Sequence, residues 1–321
     1  MLVLSNEDIS KIISYDEMLA AIRRAYEIYE EGSYYMPDRI HVDYRQKNVL
    51  YMPCFLKEVF GTKIVTIFPE NIQKGIPSLD GLMVLNDLDT GAPLCMMDGK
   101  TVTALRTGAV GDVAIQTTTP ETVKTVGLIG AGAQGYHQLL YACKVRPFEK
   151  VFLYDAYKKD LSDFTARLGK AIPPSAELIV CDNAEDLVRQ SDVVISATTA
   201  TSPPIPDKAE LLRGKHFVGI GSYKPHMREF PDALFSLLDF VYYDADIALE
   251  ETGDLIQPLA SGILKREQLK RFSRLLQDPA EIKEIADKTT LFKSVGVSIF
   301  DMVAADLLYN KAREKGVGYS L

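Results

Sequence analysis

The segment VKTVGLIGAGAQGYHQ, residues 123–138, constrains this chain more than any other. A short apolar run containing Val126, Leu128 and Ile129 leads into Gly130, Gly132 and Gly135, and a helical pattern follows. This is G-x-G-x-x-G spacing in a strand-to-helix setting, the turn that binds dinucleotides. Gly130 permits the tight turn. Gly132, followed by Ala133 and Gln134, removes a side chain that would keep backbone N–H groups from a pyrophosphate, and Gly135 lets the helix lie close to its strand. The pyrophosphate is expected at the helix N-terminus, where unpaired N–H groups and the helix dipole favour an anion. An ordinary tight turn is the competing reading, and a second strand, VFLY at 151–154, ending at Asp155, argues against it. Asp155 lies twenty residues beyond Gly135, where a carboxylate accepts hydrogen bonds from the adenosine ribose. Its charge would repel a 2'-phosphate, so NAD is the expected cofactor. Lys158 and Lys159 partly offset that repulsion and keep NADP as an alternative.

At 321 residues the chain suggests two domains. Apolar residues at 47% and charged residues at 25% are ordinary for a globular protein, and no segment approaches the ~20 uninterrupted apolar residues of a membrane span. The start, MLVLSNEDIS, lacks the basic and apolar regions of a secretory signal, so a cytoplasmic location is the default expectation. A net charge of -8 without a basic block argues against nucleic acid. Cys54, Cys95, Cys143 and Cys181 are widely separated, and His41, His137, His216 and His226 form no ligand pair, so no metal site is indicated.

Ser5 with Asp8 and Ser14 with Glu17 read as capping boxes, and the second helix should run to Gly32. Between 40 and 87 the runs HVDYR, NVLYMP, TKIVTIFP and LDGLMVLND suggest an antiparallel sheet. A helix is expected from about 102 to 116, ended by TTTP. Beyond it, VGLIG, VFLYD, ELIVC, DVVISAT, FVGIG and FVYYD alternate with helical segments, the sign of a doubly wound parallel sheet. The stretch SIFDMVAADLLYNKAREKG reads as an amphipathic helix that returns to the first domain. The expected fold is thus α/β: a Rossmann dinucleotide-binding domain at 119–298, plus a discontinuous α+β domain at 1–118 completed by 299–321.

Two charged residues are out of pattern. Strand alternation puts Lys63 on the face of Val65 and Ile67. Buried there, it would have a depressed pKa and serve as an acid, a base or a donor to a carboxylate; alternatively, it is a strand-end lysine that snorkels to water. Arg106 shares a helical stripe with Val102, Val110 and Val113. It would bind a carboxylate through two parallel hydrogen bonds, or form a structural ion pair.

MPDRIHV, GTKIVTIFPEN, GIPSLDGLMVLND, TGAPLCMMDG, TALRTGAVGDVA, VGLIGAGAQG, SDVVISATT, GSYKPHMREF and TLFKSVG occur in the order found in the ornithine cyclodeaminase and mu-crystallin family, which almost the whole chain resembles. The resemblance implies a substrate-binding and dimerising α+β domain beside the Rossmann domain, hence a homodimer. It implies that Arg39 and Arg106 bind a substrate carboxylate, that Lys63 is catalytic or carboxylate-binding, and that Ser78 lies near the substrate. Thr198, Ser222, and Lys293 and Gly296 of KSVG would line the cofactor. Cyclodeaminases of the family resemble G-x-D-x-P, with an acting aspartate; here the loop is Gly221-Ser222-Tyr223-Lys224-Pro225. Tyr223 in that place is a poor base but a competent hydrogen-bond or proton donor. A donor suits imine reduction, in which nitrogen gains a proton as carbon gains hydride.

Three functions compete. The first is NAD(P)H-dependent reduction of a small cyclic imine carboxylate such as Δ1-pyrroline-2-carboxylate to an L-imino acid, with amino-acid dehydrogenation as its reverse-direction variant. The second is cyclisation and deamination of ornithine with recycled NAD, in which Glu229 would replace the missing aspartate. The third is a non-catalytic protein that binds a dinucleotide or small ligand, disfavoured by retention of Lys63, Arg39 and Arg106.

Overall fold

The computed structural model describes residues 1–321 except for the side chain of Ile72. Packing divides the chain into two compact units, Met1–Arg106 with Val297–Leu321, and Thr107–Gly296. The first division falls inside the helix Gly99–Thr118, ahead of the TTTP break that ends it. The glycines of that helix explain the shift from the boundary at 118. A Cβ on Gly108 or Gly111 would lie 2.5 Å from Tyr141 or 1.8 Å from Gln138, so the second half of the helix is packed tightly against Ala133–Val145.

In the first unit both capping boxes form. Ser5 and Ser14 accept from the backbone N–H of Asp8 and Glu17, whose carboxylates accept the N–H of each serine in return. The helix Tyr15–Glu31 ends at Gly32 in the left-handed region, φ 69°. Strands Ile40–Tyr44, Lys47–Phe55, Val59–Ile67, Leu79–Asp87 and Pro93–Asp98 pair antiparallel in sequence. Leu2–Leu4 adds parallel to Pro93–Asp98, and Tyr319–Ser320 completes the seven-stranded sheet. The helix Ser298–Lys315 packs on Tyr15–Glu31 and across the strands Lys47–Phe55, Val59–Ile67 and Leu79–Asp87. It is less amphipathic than its sequence suggests, because every residue from Ser298 to Ala305 is buried. Covered by both helix and sheet, its first two turns have no solvent face.

The second unit is an eight-stranded, all-parallel sheet. From one edge its strands are Leu269–Arg271, Val241–Tyr243, Thr290–Lys293, His216–Gly219, Val193–Ser196, Thr125–Ile129, Lys150–Tyr154 and Glu177–Val180. The six expected strands are present, and Thr290–Lys293 and Leu269–Arg271 extend them. From Thr125–Ile129 the chain proceeds to one edge through Lys150–Tyr154, then returns to the other side at Val193–Ser196. This reversal is the switch point at which doubly wound sheets bind nucleotides. Among the described residues, no helix is long and apolar enough to cross a membrane.

Gly61, in the strand Val59–Ile67 beneath the last helix, has no room for a side chain: a Cβ would lie 2.1 Å from the Val84 carbonyl and 3.1 Å from Met302. Gly61→Val is expected to destabilise the protein by about 1–3 kcal/mol through overpacking. Urea denaturation measures this, and an unchanged midpoint would show that the helix yields without cost.

Candidate active site

Lys63 is 1% exposed, in register with buried Met52 and Met83 on the flanking strands. It therefore does not snorkel to water. Its Nζ donates to Asp301 Oδ2 at 2.7 Å, while Arg106 Nε donates to Asp301 Oδ1 at 2.8 Å. One fully buried carboxylate from the last helix thus holds a lysine from the sheet and an arginine from the helix Gly99–Thr118. Arg106 is an ion-pair partner through Nε, yet its Nη1 is buried without a hydrogen bond. An unmet guanidinium N–H in such a place is costly unless a ligand accepts from it, and carboxylates do so with matching geometry.

Burial, joined by the charges of Arg106 and Arg39, lowers the Lys63 pKa to about 8 against the opposing pull of Asp301. Burial acts to raise the Asp301 carboxyl, but Arg106 and Lys63 overcome it and hold it below the ordinary range. Near neutral pH the cluster therefore carries two positive charges and one negative. A net buried charge is unfavourable by several kcal/mol unless an anion joins it. Arg39, half-buried, contributes to the same field. Ser78 is not part of the cluster. It lies five residues before Met83, the register partner of Lys63, and its carbonyl accepts from Phe68 N at 2.7 Å.

The glycine turn in the second unit matches its sequence reading. Gly130 has φ 100°, and a Cβ there would lie 2.6 Å from the Ala197 carbonyl. A Cβ on Gly135 would lie 2.2 Å from the Gly130 carbonyl. Gly132 differs from both: an added Cβ would meet nothing within 4 Å. Open space therefore lies beside Gly132, before the helix whose first turn contains Ala133 and Gln134, where unpaired N–H groups and the helix dipole favour an anion. Asp155 accepts from Ala131 N through Oδ2, and from Tyr157 N and Lys158 N through Oδ1, each at 2.9 Å. These bonds fix its carboxylate beside the turn. Lys158 donates to the Ala131 carbonyl at 3.0 Å and is thereby directed onto the turn.

Thr198 touches the turn, its Cγ2 being 3.0 Å from a Cβ built on Gly130. Its N and Oγ1 donate to Glu229 Oε1 at 2.7 and 2.8 Å, and Ser222 N donates to Glu229 Oε2 at 2.9 Å. Gly296, at φ 70°, donates its N–H to Asp244 Oδ2 at 2.8 Å. Lys293 departs from its expected role as a cofactor contact. Its side chain is sealed from solvent, with Nζ 3.3 Å from Asp254 and 3.7 Å from Glu229. Glu229, considered above as a substitute for the missing aspartate, is corrected on the same ground. It is fully buried and saturated by N–H and O–H donors, so it has no free lone pair for a reacting group. Burial raises the Tyr223 phenol above its ordinary pKa, which keeps it a donor.

Asp301 is the residue that sequence reading missed. Its signal was present in SIFDMV, a carboxylate within an apolar run, by the same logic that singled out Lys63.

Residues 1–316 match the family model described as ornithine cyclodeaminase/mu-crystallin family. The chain belongs to this family. A Δ1-pyrroline-2-carboxylate reductase of Bacillus cereus is 31% identical over 99% of this chain and 98% of the relative. The structure of Thermococcus litoralis Δ1-pyrroline-2-carboxylate reductase in complex with NADH and L-proline superposes with a TM-score of 0.91, at 32% identity and full coverage of both chains. An archaeal alanine dehydrogenase dimer with bound NAD gives a TM-score of 0.87 at 27% identity, covering 100% of this chain and 98% of that one.

Gly132→Ala is expected to leave thermal stability unchanged, because the added Cβ meets no protein atom within 4 Å, and to weaken NADH binding by about tenfold or more by occupying the pyrophosphate space. Calorimetric titration with NADH, beside a melting curve, tests both halves. Wild-type affinity in the variant would return the turn to a purely structural role.

Proposed function

We propose that this chain is an NADH-dependent reductase of Δ1-pyrroline-2-carboxylate or a close cyclic imine carboxylate, forming L-proline or its homologue. Oxidation of an α-amino acid is the same chemistry in reverse. The observation that carries this reading is the buried cluster with one excess positive charge and an unpaired Arg106 Nη1, a receptor for a small carboxylate.

Gly130, Gly132, Ala133, Gln134 and Gly135 would hold the pyrophosphate, and Asp155 the adenosine ribose, which favours NAD over NADP. NADH, when bound, supplies the hydride that the imine carbon accepts. The protein's own groups handle the anion and the proton. Arg106 and Arg39 bind the carboxylate and orient the ring, and Arg106 is itself fixed by Asp301 so that little ordering remains on binding. Lys63, an ammonium below about pH 8, provides the proton that the imine nitrogen takes up. Its depressed pKa makes it a stronger acid than an exposed lysine. Tyr223 contributes a second donor. The cyclodeaminase reading has less support, because Glu229 has no capacity left and no aspartate occupies position 223.

The protein works as a homodimer in this reading. Ile40, Val42 and Tyr44 lie on one face of an edge strand, 57%, 45% and 61% exposed, with exposed Tyr51 in register beside Ile40. An apolar, solvent-facing row on an edge strand favours pairing with a like surface. Four cysteines without disulfide partners suit a reducing cytoplasm.

Purified protein given NADH and Δ1-pyrroline-2-carboxylate should lose the reduced-nicotinamide absorbance in proportion to imine added. No loss in a protein that binds NADH would overturn the reading. In this direction kcat/KM should fall as pH rises through about 8, where Lys63 loses its proton. Asp301→Asn removes the group that opposes the depression and should move that fall to lower pH, whereas a fall at the same pH would detach it from Lys63. Val42→Asp should shift the mass measured by light scattering from dimer to monomer, and a monomeric wild type would remove the dimer from this proposal.

A further inference from the structure

Outside the carboxylate-binding cluster, Glu229, Asp254 and Lys293 form a group of charges whose side chains are each 0% exposed. Glu229 stands in GSYKPHMREF, just beyond the loop that carries Ser222 and Tyr223. Its Oε1 accepts from Ser196 Oγ at 2.6 Å, Thr198 N at 2.7 Å and Thr198 Oγ1 at 2.8 Å. Its Oε2 accepts from Gly221 N at 2.8 Å and Ser222 N at 2.9 Å. The donors come from the C-terminal ends of two adjacent parallel strands, Val193–Ser196 and His216–Gly219. Lys293, ending the next strand over, lies 3.7 Å from the same carboxylate. Asp254 Oδ1 accepts Glu229 N at 2.7 Å and Phe230 N at 3.2 Å and so orients the backbone on which Glu229 sits.

These contacts also reach the glycine turn. Thr198, held twice by Glu229, lies against Gly130. Gly221 approaches the Thr198 backbone so closely that a Cβ would lie 2.0 Å from its carbonyl, and only glycine permits the two loops to meet. A charged acceptor binding several backbone N–H groups gives stronger and more directional bonds than a neutral one. Because its donors belong to loops at the switch point, the strands' C-terminal ends are preset where a dinucleotide is expected.

We propose that Glu229 is a positioning residue of the dinucleotide site: its carboxylate, supported by Lys293 and Asp254, clasps the Ser196–Thr198 and Gly221–Ser222 segments into the conformation that receives the cofactor. It touches no reacting atom. The inference rests on the dinucleotide reading of the second unit but not on the identity of the substrate.

Two variants test the clasp. Glu229→Gln keeps the shape but turns one acceptor oxygen into an N–H donor facing either Gly221 N and Ser222 N or the Thr198 donors. Ser196→Ala removes one hydroxyl and leaves every backbone bond in place. Calorimetric titration with NADH should give affinities weaker by about tenfold or more for Glu229→Gln and by a few-fold for Ser196→Ala. Hydrogen exchange at the Gly221 and Ser222 amides of the apo protein should quicken in Glu229→Gln. If Glu229→Gln does not fold, Ser196→Ala decides the matter alone. Wild-type NADH affinity in folded variants, with only a lowered melting temperature, would overturn the proposal and leave Glu229 a purely stabilising group. Failure of the wild type itself to bind NADH would instead overturn the functional reading beneath it.

Discussion

One carboxylate between two cations sets the terms for the first unit. Asp301 ties the strand Val59–Ile67 to the helix Gly99–Thr118, and it can do so only if its own helix lies directly on the sheet. That closeness accounts for Gly61, which leaves space for Met302, and for the burial of the last helix over its first two turns. Removing one partner of a buried ion pair costs more than the pair contributes. The cluster is therefore better understood as a receptor held ready than as a source of stability, since its charges remain unbalanced until a carboxylate arrives.

The fold was legible where local chemistry and pattern agreed. Capping boxes at Ser5 and Ser14 are reciprocal hydrogen bonds within four residues, and the glycine turn is a sequence-local device, so both survive unchanged in three dimensions. Elements fixed by distant neighbours were harder to read. The hairpin after Tyr44 was legible from the runs on either side of it, although it turns at Arg45 and Gln46, both at positive φ, without the glycine or asparagine that usually announces such a turn. Leu2–Leu4 and Tyr319–Ser320 are strands because they complete each other's hydrogen bonding, and neither has length enough to show a period. The Gly99–Thr118 helix shows why a break in the chain and a division in packing need not coincide.

The site was legible by halves. Lys63 and Arg106 stood out as charges in apolar patterns, but the pattern could not choose between a solvated lysine and a buried one, because that depended on what covered the strand. The covering residue was Asp301, 238 positions away from Lys63. Lys293 and Glu229 illustrate how burial alters the reading of a charged residue. Resemblance placed Lys293 near the cofactor, and Glu229 was considered only as a carboxylate to replace the missing aspartate, whereas both are sealed from solvent 3.7 Å apart. Ser78, expected near the substrate by resemblance, precedes the strand Leu79–Asp87 five residues from the register partner of Lys63, a spacing along the strand that sequence does not display.

The same long separation has a consequence for how the protein is made. Lys63 and Arg106 leave the ribosome early, and the carboxylate that gathers them comes only after the whole parallel sheet has been synthesised. Until then the nascent first sheet has an uncovered face bearing a lysine, and no local contact can substitute for the last helix. The second unit, continuous in sequence, meets no such delay and is expected to fold first. The order of assembly is thus the reverse of the order of synthesis, and the carboxylate receptor is the last feature of the molecule to come into existence.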